Sequence, residues 1–148
     1  MIADFIPGNF SDYGELTNIS SPYTVKERED LFKLLPKNIL IKSMIELGCA
    51  DGNNLIYFKN KLNLNNNEIA GLDSCKSNKV LSDNKFKFIH QNIEKFLEKP
   101  KDKYDLVLFS DVLEHIYNPW KTLQNIKNIL NKKGIVLLSI PNLQNIKY

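Results

Sequence analysis

Short, nearly continuous apolar runs alternate along this chain with longer stretches in which apolar residues recur every three or four positions. The runs at residues 44–47, 68–73, 86–90, 104–110 and 135–140 are of strand length and rich in Ile, Leu, Val and Phe, which predicts buried strands. Between them, residues 53–62 place Leu55, Ile56, Phe58 and Leu62 on one helical face. A second helix is expected after Asn92, around Phe96 and Leu97. A third begins at Asn118-Pro119, with Asn as cap and Pro in the first turn. Its stripe is Leu123, Ile126, Ile129 and Leu130, and Lys132-Lys133-Gly134 closes it. Upstream, Thr24-Val25-Lys26-Glu27 has a capping-box pattern, and Val25, Leu31, Phe32, Leu34 and Leu35 predict a helix ended by Pro36. Strands alternating with helices predict an α/β fold, a mostly parallel sheet with helices on both faces.

At 148 residues and 43% hydrophobic composition, the chain is sized for one core and one domain. The expected division is an arm at residues 1–22, aromatic but without clear periodicity, and a domain at residues 23–148. A net charge of +3 and a pI near 8.7 are too mild to imply nucleic acid. Lys59, Lys61, Lys101, Lys103, Lys132 and Lys133 are spread over helix ends and loops. The Asn-rich stretch at 63–67 reads as a loop. No apolar leader or spanning segment stands out, so a cytoplasmic setting without a membrane partner is expected. Cys49 and Cys75 form no C-x-x-C pair and fit small thiols in a reducing compartment.

The run Met44-Ile45-Glu46-Leu47-Gly48-Cys49-Ala50-Asp51-Gly52-Asn53-Asn54 concentrates the chemistry. A strand that bends sharply into a helix needs small residues at the bend, and a ligand lying on that backbone excludes side chains. Gly48, Ala50 and Gly52 meet that demand, and the first turn of the next helix aims N–H groups at the loop. A dinucleotide fingerprint, G-x-G-x-x-G, asks for a small residue at position 53, which is Asn. The spacing is instead G-x-G-x-G with Ala in the middle.

Here the chain resembles class I S-adenosylmethionine-dependent methyltransferases, whose first motif is an apolar strand, an acid and G-x-G-x-G. The resemblance extends from about residue 23 to the end and implies a Rossmann-like, doubly wound sheet of order 3-2-1-4-5. The family's last two strands have no counterpart here, which implies either a truncated or degenerate member or an edge of strand five covered by another copy, a partner chain or the N-terminal segment. S-adenosyl-L-methionine is the implied cofactor, with Glu46, Gly48, Cys49, Ala50, Asp51, Gly52 and Asn53 forming its seat. Asp73 is the ribose candidate, beside Ser74, and its alternative role is to cap the short helix expected after the second strand. Gln91, Asn92 and Ile93 come just after the third strand, where the family places its adenine contacts, although Asn92 equally fits a plain helix cap.

After the fourth strand, Ser110-Asp111-Val112-Leu113-Glu114-His115 resembles the D/E-x-L-E-H element of small-molecule methyltransferases acting in quinone and glycan biosynthesis, and Ser139-Ile140-Pro141-Asn142 the glycan-modifying branch. Ser110 and Asp111 join the cofactor set. His115, Glu114 and Asp111 are the catalytic candidates: an ordinary imidazole titrates near pH ~6.5 and can take an acceptor's proton. The alternative for His115 is local hydrogen bonding at a helix start. A metal variant places Asp111, Glu114 and His115 on one helical face as divalent-cation ligands. The expected activity is methyl transfer to a small molecule or glycan, O-directed. Its rivals are a non-catalytic cofactor- or partner-binding module, a degenerate methyltransferase, a metal-dependent RNA 2′-O-methyltransferase and an NAD-dependent oxidoreductase.

Overall fold

The computed structural model describes residues 26–75 and 85–141. The N-terminal arm, the capping box at Thr24 and the position of Asn142 lie outside the described residues. The elements run α1 (Glu29–Phe32), β1 (Met44–Leu47), α2 (Asn53–Leu62), β2 (Ile69–Asp73), β3 (Lys87–His90), α3 (Ile93–Glu98), β4 (Tyr104–Ser110), α4 (Pro119–Ile126) and β5 (Leu130–Ser139). The five strands form one sheet of order β3-β2-β1-β4-β5. Every pairing is parallel, with Ile45 opposite Ala70 and Val107, and Phe109 opposite Leu138. The expected α/β architecture and strand order are therefore present.

Period-two alternation along the strands builds two cores. Ile45, Leu47, Val107 and Phe109 face α3 and α4, packing with Ile93, Phe96, Leu97, Ile126 and Ile129. Met44, Leu106 and Leu108 face the other way, with Leu31, Leu55 and Phe58. Each fully buried Leu, Ile or Phe contributes about 1.5–3 kcal/mol of transfer free energy.

Three expectations need correction. The helix from Asn118-Pro119 ends at Ile126; residues Lys127–Ile129 form a single 3₁₀ turn, and Leu130 already pairs with Tyr104 at the start of β5. Lys132-Lys133-Gly134 therefore lie inside β5, where its register against β4 shifts between Tyr104 and Leu106. The irregularity is anchored by Asn131, whose amide donates to Asp105 Oδ1 at 2.7 Å. A Cβ on Gly134 would come within 2.8 Å of Leu130 and 3.0 Å of the Tyr104 carbonyl, so a glycine keeps the strands close. Second, the α-helix before Pro36 is only the turn Glu29–Phe32, succeeded by single turns to Leu35. Third, residues 111–115 are not an α-helix: Asp111 has a left-handed backbone at φ 51° and Leu113–His115 form a 3₁₀ turn.

Candidate functional site

Because all five strands are parallel, their C-terminal ends meet along one rim, the usual ligand-binding edge of such sheets. The bend after β1 occupies its centre. Gly48, Ala50 and Gly52 all adopt left-handed backbone, at φ 78°, 47° and 74°, which explains the spacing of small residues. The Gly48 and Cys49 N–H groups donate to the Leu72 carbonyl at 2.7 and 3.0 Å, and Gly52 N–H to the Cys49 carbonyl at 2.8 Å. The bend is also closely packed. A Cβ on Gly48 would lie 2.5 Å from Val112, and one on Gly52 2.5 Å from the Phe86 ring.

Asp73, at the end of β2, ties this loop to its neighbour. Its Oδ2 accepts from the Ala50 N–H and its Oδ1 from the Cys75 N–H, both at 2.8 Å. Asp73 thus bridges the bend and the residue pair that follows β2, the helix it was expected to cap lies outside the described residues, and each oxygen keeps a further lone pair. Asp51 turns to the helix start instead, accepting from the Asn53 N–H at 3.2 Å and from its amide at 2.7 Å. Cys49 is 2% exposed, and burial pushes its thiol well above the ordinary range.

Beneath the loop lies a buried acid. Glu46 is 2% exposed; its Oε1 accepts from the Asn54 amide at 2.6 Å, while Oε2 has no partner. Burial pushes this carboxyl up to about 8, against the hydrogen bonds from Asn54 and the Leu55 N–H and reinforced by Asp51 and Asp73. Asn54, itself 1% exposed, links the rim: its amide also reaches Ser110 Oγ at 3.3 Å, and its Oδ1 accepts from the Arg28 backbone N–H at 3.1 Å. Asn54 was not anticipated, although its place four residues before Phe58, inside the buried stripe of α2, is a signal for it.

Arg28 is the second residue that sequence reasoning missed. Its guanidinium donates to Asp111 Oδ2 at 2.5 Å, to Ser139 Oγ at 3.0 Å and to both oxygens of Asp30. The neighbouring guanidinium holds the Asp30 carboxyl down at about 2. Ser139 in turn donates to Asp111 Oδ1 at 2.7 Å, and the Asp111 N–H donates to the Ser139 carbonyl and hydroxyl. Partners 83 and 111 residues away in sequence leave no local signature.

The remaining candidates separate. His115 projects from the turn after β4, its side chain 63% exposed and its Nε2 4.0 Å from Glu114 Oε1. The metal variant fails on geometry, because Asp111, Glu114 and His115 share no helical face, and no group of three His, Cys, Asp or Glu side chains among the described residues is arranged to hold an ion. Asn92 caps α3 by accepting the Lys95 N–H at 3.1 Å. Ile93 is buried in the core with Phe96 and Leu97. The Gln91 N–H donates to the Asp73 carbonyl at 3.1 Å, which keeps that segment beside the loop. The Ser74 carbonyl meets His90 Nε2 at 2.9 Å.

With a left-handed three-point bend, an acid beneath it and an acid on the next strand, the rim has the first-motif layout of the family the sequence resembles. A family model for a methyltransferase domain matches residues 24–147. The chain belongs to that family. The class I methyltransferase fold agrees with solved structures. This methyltransferase domain is similar to the plantazolicin methyltransferase BpumL, solved with a pentazolic desmethylPZN analog and SAH, at TM-score 0.62 and 20% identity over 80% of this chain and 49% of that one. It is similar to the StiE O-MT, residues 961–1257, at TM-score 0.58 and 23% identity over 75% and 41%, and to the plantazolicin methyltransferase BamL, solved with a triazolic analog and SAH, at 0.54 and 18% over 68% and 38%. The methyltransferase domain thus spans less than half the length of these neighbours. Among curated proteins none matches. No helix among the described residues is long and apolar enough to cross a membrane.

Proposed function

We propose that this domain binds S-adenosyl-L-methionine at the rim and transfers its methyl group to an oxygen of a small molecule or glycan. The observation that carries the reading is the bend itself: three left-handed positions at 48, 50 and 52, held against β2 by Asp73. The BpumL and BamL structures with SAH and the name of the StiE O-MT support it. When bound, the cofactor supplies an electrophilic methyl group on a sulfonium.

The chain's own part is placement. Asp73 retains acceptor capacity for ribose hydroxyls, and hydrogen bonds to a charged acceptor contribute about 1.5–3 kcal/mol each. The amino-acid end of the cofactor carries an ammonium, and Glu46, hydrogen-bonded to the Asn54 amide, is the acid beneath the bend that we read as facing it. The buried, partnerless Oε2 of Glu46 fits an anionic seat for an ammonium group. We read His115, exposed on the turn after β4, as the group that takes a proton from an acceptor hydroxyl. Holding acceptor and donor in line is the main source of rate in such a transfer.

Calorimetry with S-adenosylhomocysteine and NAD tests the reading. S-adenosylhomocysteine is expected to bind and NAD not to compete. Asp73→Ala should weaken S-adenosylhomocysteine by about 1.5–3 kcal/mol through the lost acceptor. Unchanged affinity in a folded Asp73→Ala protein, or preference for NAD, would overturn it.

A further inference from the structure

A carboxylic acid sealed beneath a ligand-binding loop, with one oxygen partnerless, is an unstable arrangement for a charge and a comfortable one for a neutral group. Glu46 is so placed. We infer that Glu46 holds a proton while the rim is empty and releases it when the cationic end of an aminoacyl ligand settles on the loop, so that cofactor binding is a proton-exchange reaction. This rests on the reading that S-adenosylmethionine or its product occupies the rim.

The surroundings of Glu46 come from several elements. From α2, Asn54 and the Leu55 N–H donate to the carboxyl but occupy only part of its acceptor capacity. From the bend and β2, Asp51 and Asp73 add negative potential, and the Cys49 thiol, held neutral by burial, adds none. From β4, Ser110 is tied to the same Asn54 amide. Arg28 is directed by its guanidinium toward Asp111, Asp30 and Ser139, and meets Asn54 only through its backbone N–H. No cation among these contacts reaches Glu46 directly. A ligand ammonium on the loop would therefore be its first close countercharge. Opposite unit charges about 6 Å apart at an effective dielectric of about 20 favour the ionised form by roughly two pH units. With the empty-site carboxyl near 8, that change carries Glu46 from protonated to largely ionised near neutrality.

The bond changes balance simply. The O–H bond of Glu46 breaks, its proton passes to buffer, and the carboxylate pairs with the ligand's ammonium, which already carries its own proton at pH 6.5. No oxidant, reductant or co-reactant takes part.

The test is calorimetry of S-adenosylhomocysteine at pH 6.5 in two buffers of different ionisation enthalpy, with adenosine as the ligand lacking the amino-acid end. Release of on the order of one proton is expected for S-adenosylhomocysteine, shrinking toward none above about pH 9 as Glu46 ionises in the empty site. Adenosine should release none, and Glu46→Gln should abolish the release. A second readout uses wild type alone: difference infrared spectroscopy should show the stretch of a protonated carboxyl lost on ligand addition. Binding without proton release, equal release with adenosine, or full release by Glu46→Gln would overturn the inference and leave the cofactor reading intact. Absence of any S-adenosylhomocysteine binding would instead remove the cofactor reading beneath it.

Discussion

The two halves of the rim hold unusual backbone by different means. Between β1 and α2, the left-handed positions are two glycines and an alanine, and their N–H groups are anchored on buried carbonyls and on Asp73. After β4, the left-handed residue is Asp111, held by side chains that water reaches: the Arg28 and Asp111 side chains are 21% and 44% exposed. One half is fixed chiefly through its own N–H groups, the other chiefly by a cluster of partly exposed polar and charged side chains. A segment latched by such side chains opens at lower free energy than a packed one, so the β4–β5 half is the more readily opened of the two.

The sharpest way to break the comparison is Gly48→Ala. The new Cβ would need left-handed backbone, costing about 1–2 kcal/mol, and would lie 2.5 Å from Val112, adding about 1–3 kcal/mol of overpacking. Urea denaturation should show a loss of roughly 2–5 kcal/mol, and Val112→Ala in the same chain should recover the packing part alone. A loss below about 1 kcal/mol would mean that the bend yields as easily as the latch.

Next in size is Glu46→Gln. A carboxyl raised from 4.5 to about 8 on folding keeps its proton in the native state while the unfolded chain gives it up. Stability is therefore lost as pH rises from about 4.5 to 8 and changes no further above that. Glu46→Gln removes this dependence, so the ligand-free variant should match wild type near pH 4.5 and exceed it at pH 8 by a few kcal/mol, at about 1.4 kcal/mol per pH unit. Denaturant midpoints across that range decide it, and a variant less stable at pH 8 would refute the assignment.

Arg28→Ala separates the halves from the other side. Partly exposed ion pairs contribute about 0–1 kcal/mol after solvent screening, so global stability should fall by about that much. Amide exchange at Asp111 and Ser139 should accelerate while Gly48, Cys49 and Gly52 keep their protection. High salt should reproduce the effect in wild type. Uniform acceleration across both halves would show that they are one unit.

The same division separates the legible parts of the sequence from the hidden ones. The strands and the bend were legible because each depends on local pattern: the apolar run at 104–110, the stripe of α2, small residues where backbone turns left-handed; the strand order came only with the family resemblance. The end of α4 was misplaced because Leu130 fits a helical stripe as well as a strand, and only pairing with Tyr104 decides between them. Arg28 and the latch were invisible, since Asp111 and Ser139 reach it through tertiary contacts alone. The i, i+3, i+4 spacing of Asp111, Glu114 and His115 misled because it presupposed an α-helix that the left-handed Asp111 interrupts.

The smallest expected effect is also the finest test of how each half is held. Ala50 sits at φ 47°, where an L side chain costs about 1–2 kcal/mol and glycine costs nothing beyond about 0.5–1 kcal/mol of extra unfolded-state entropy. Ala50→Gly should therefore stabilise the domain by a few tenths to about 1 kcal/mol. Asp111 stands at nearly the same angle, φ 51°, yet Asp111→Gly should gain nothing, because it discards the hydrogen bonds from Arg28 and Ser139 along with the strain. Thermal unfolding of both variants side by side checks the pair of signs. If Asp111→Gly stabilised as much as Ala50→Gly, the side-chain latch would contribute nothing, and the two halves would differ only in which residues relieve the same backbone strain.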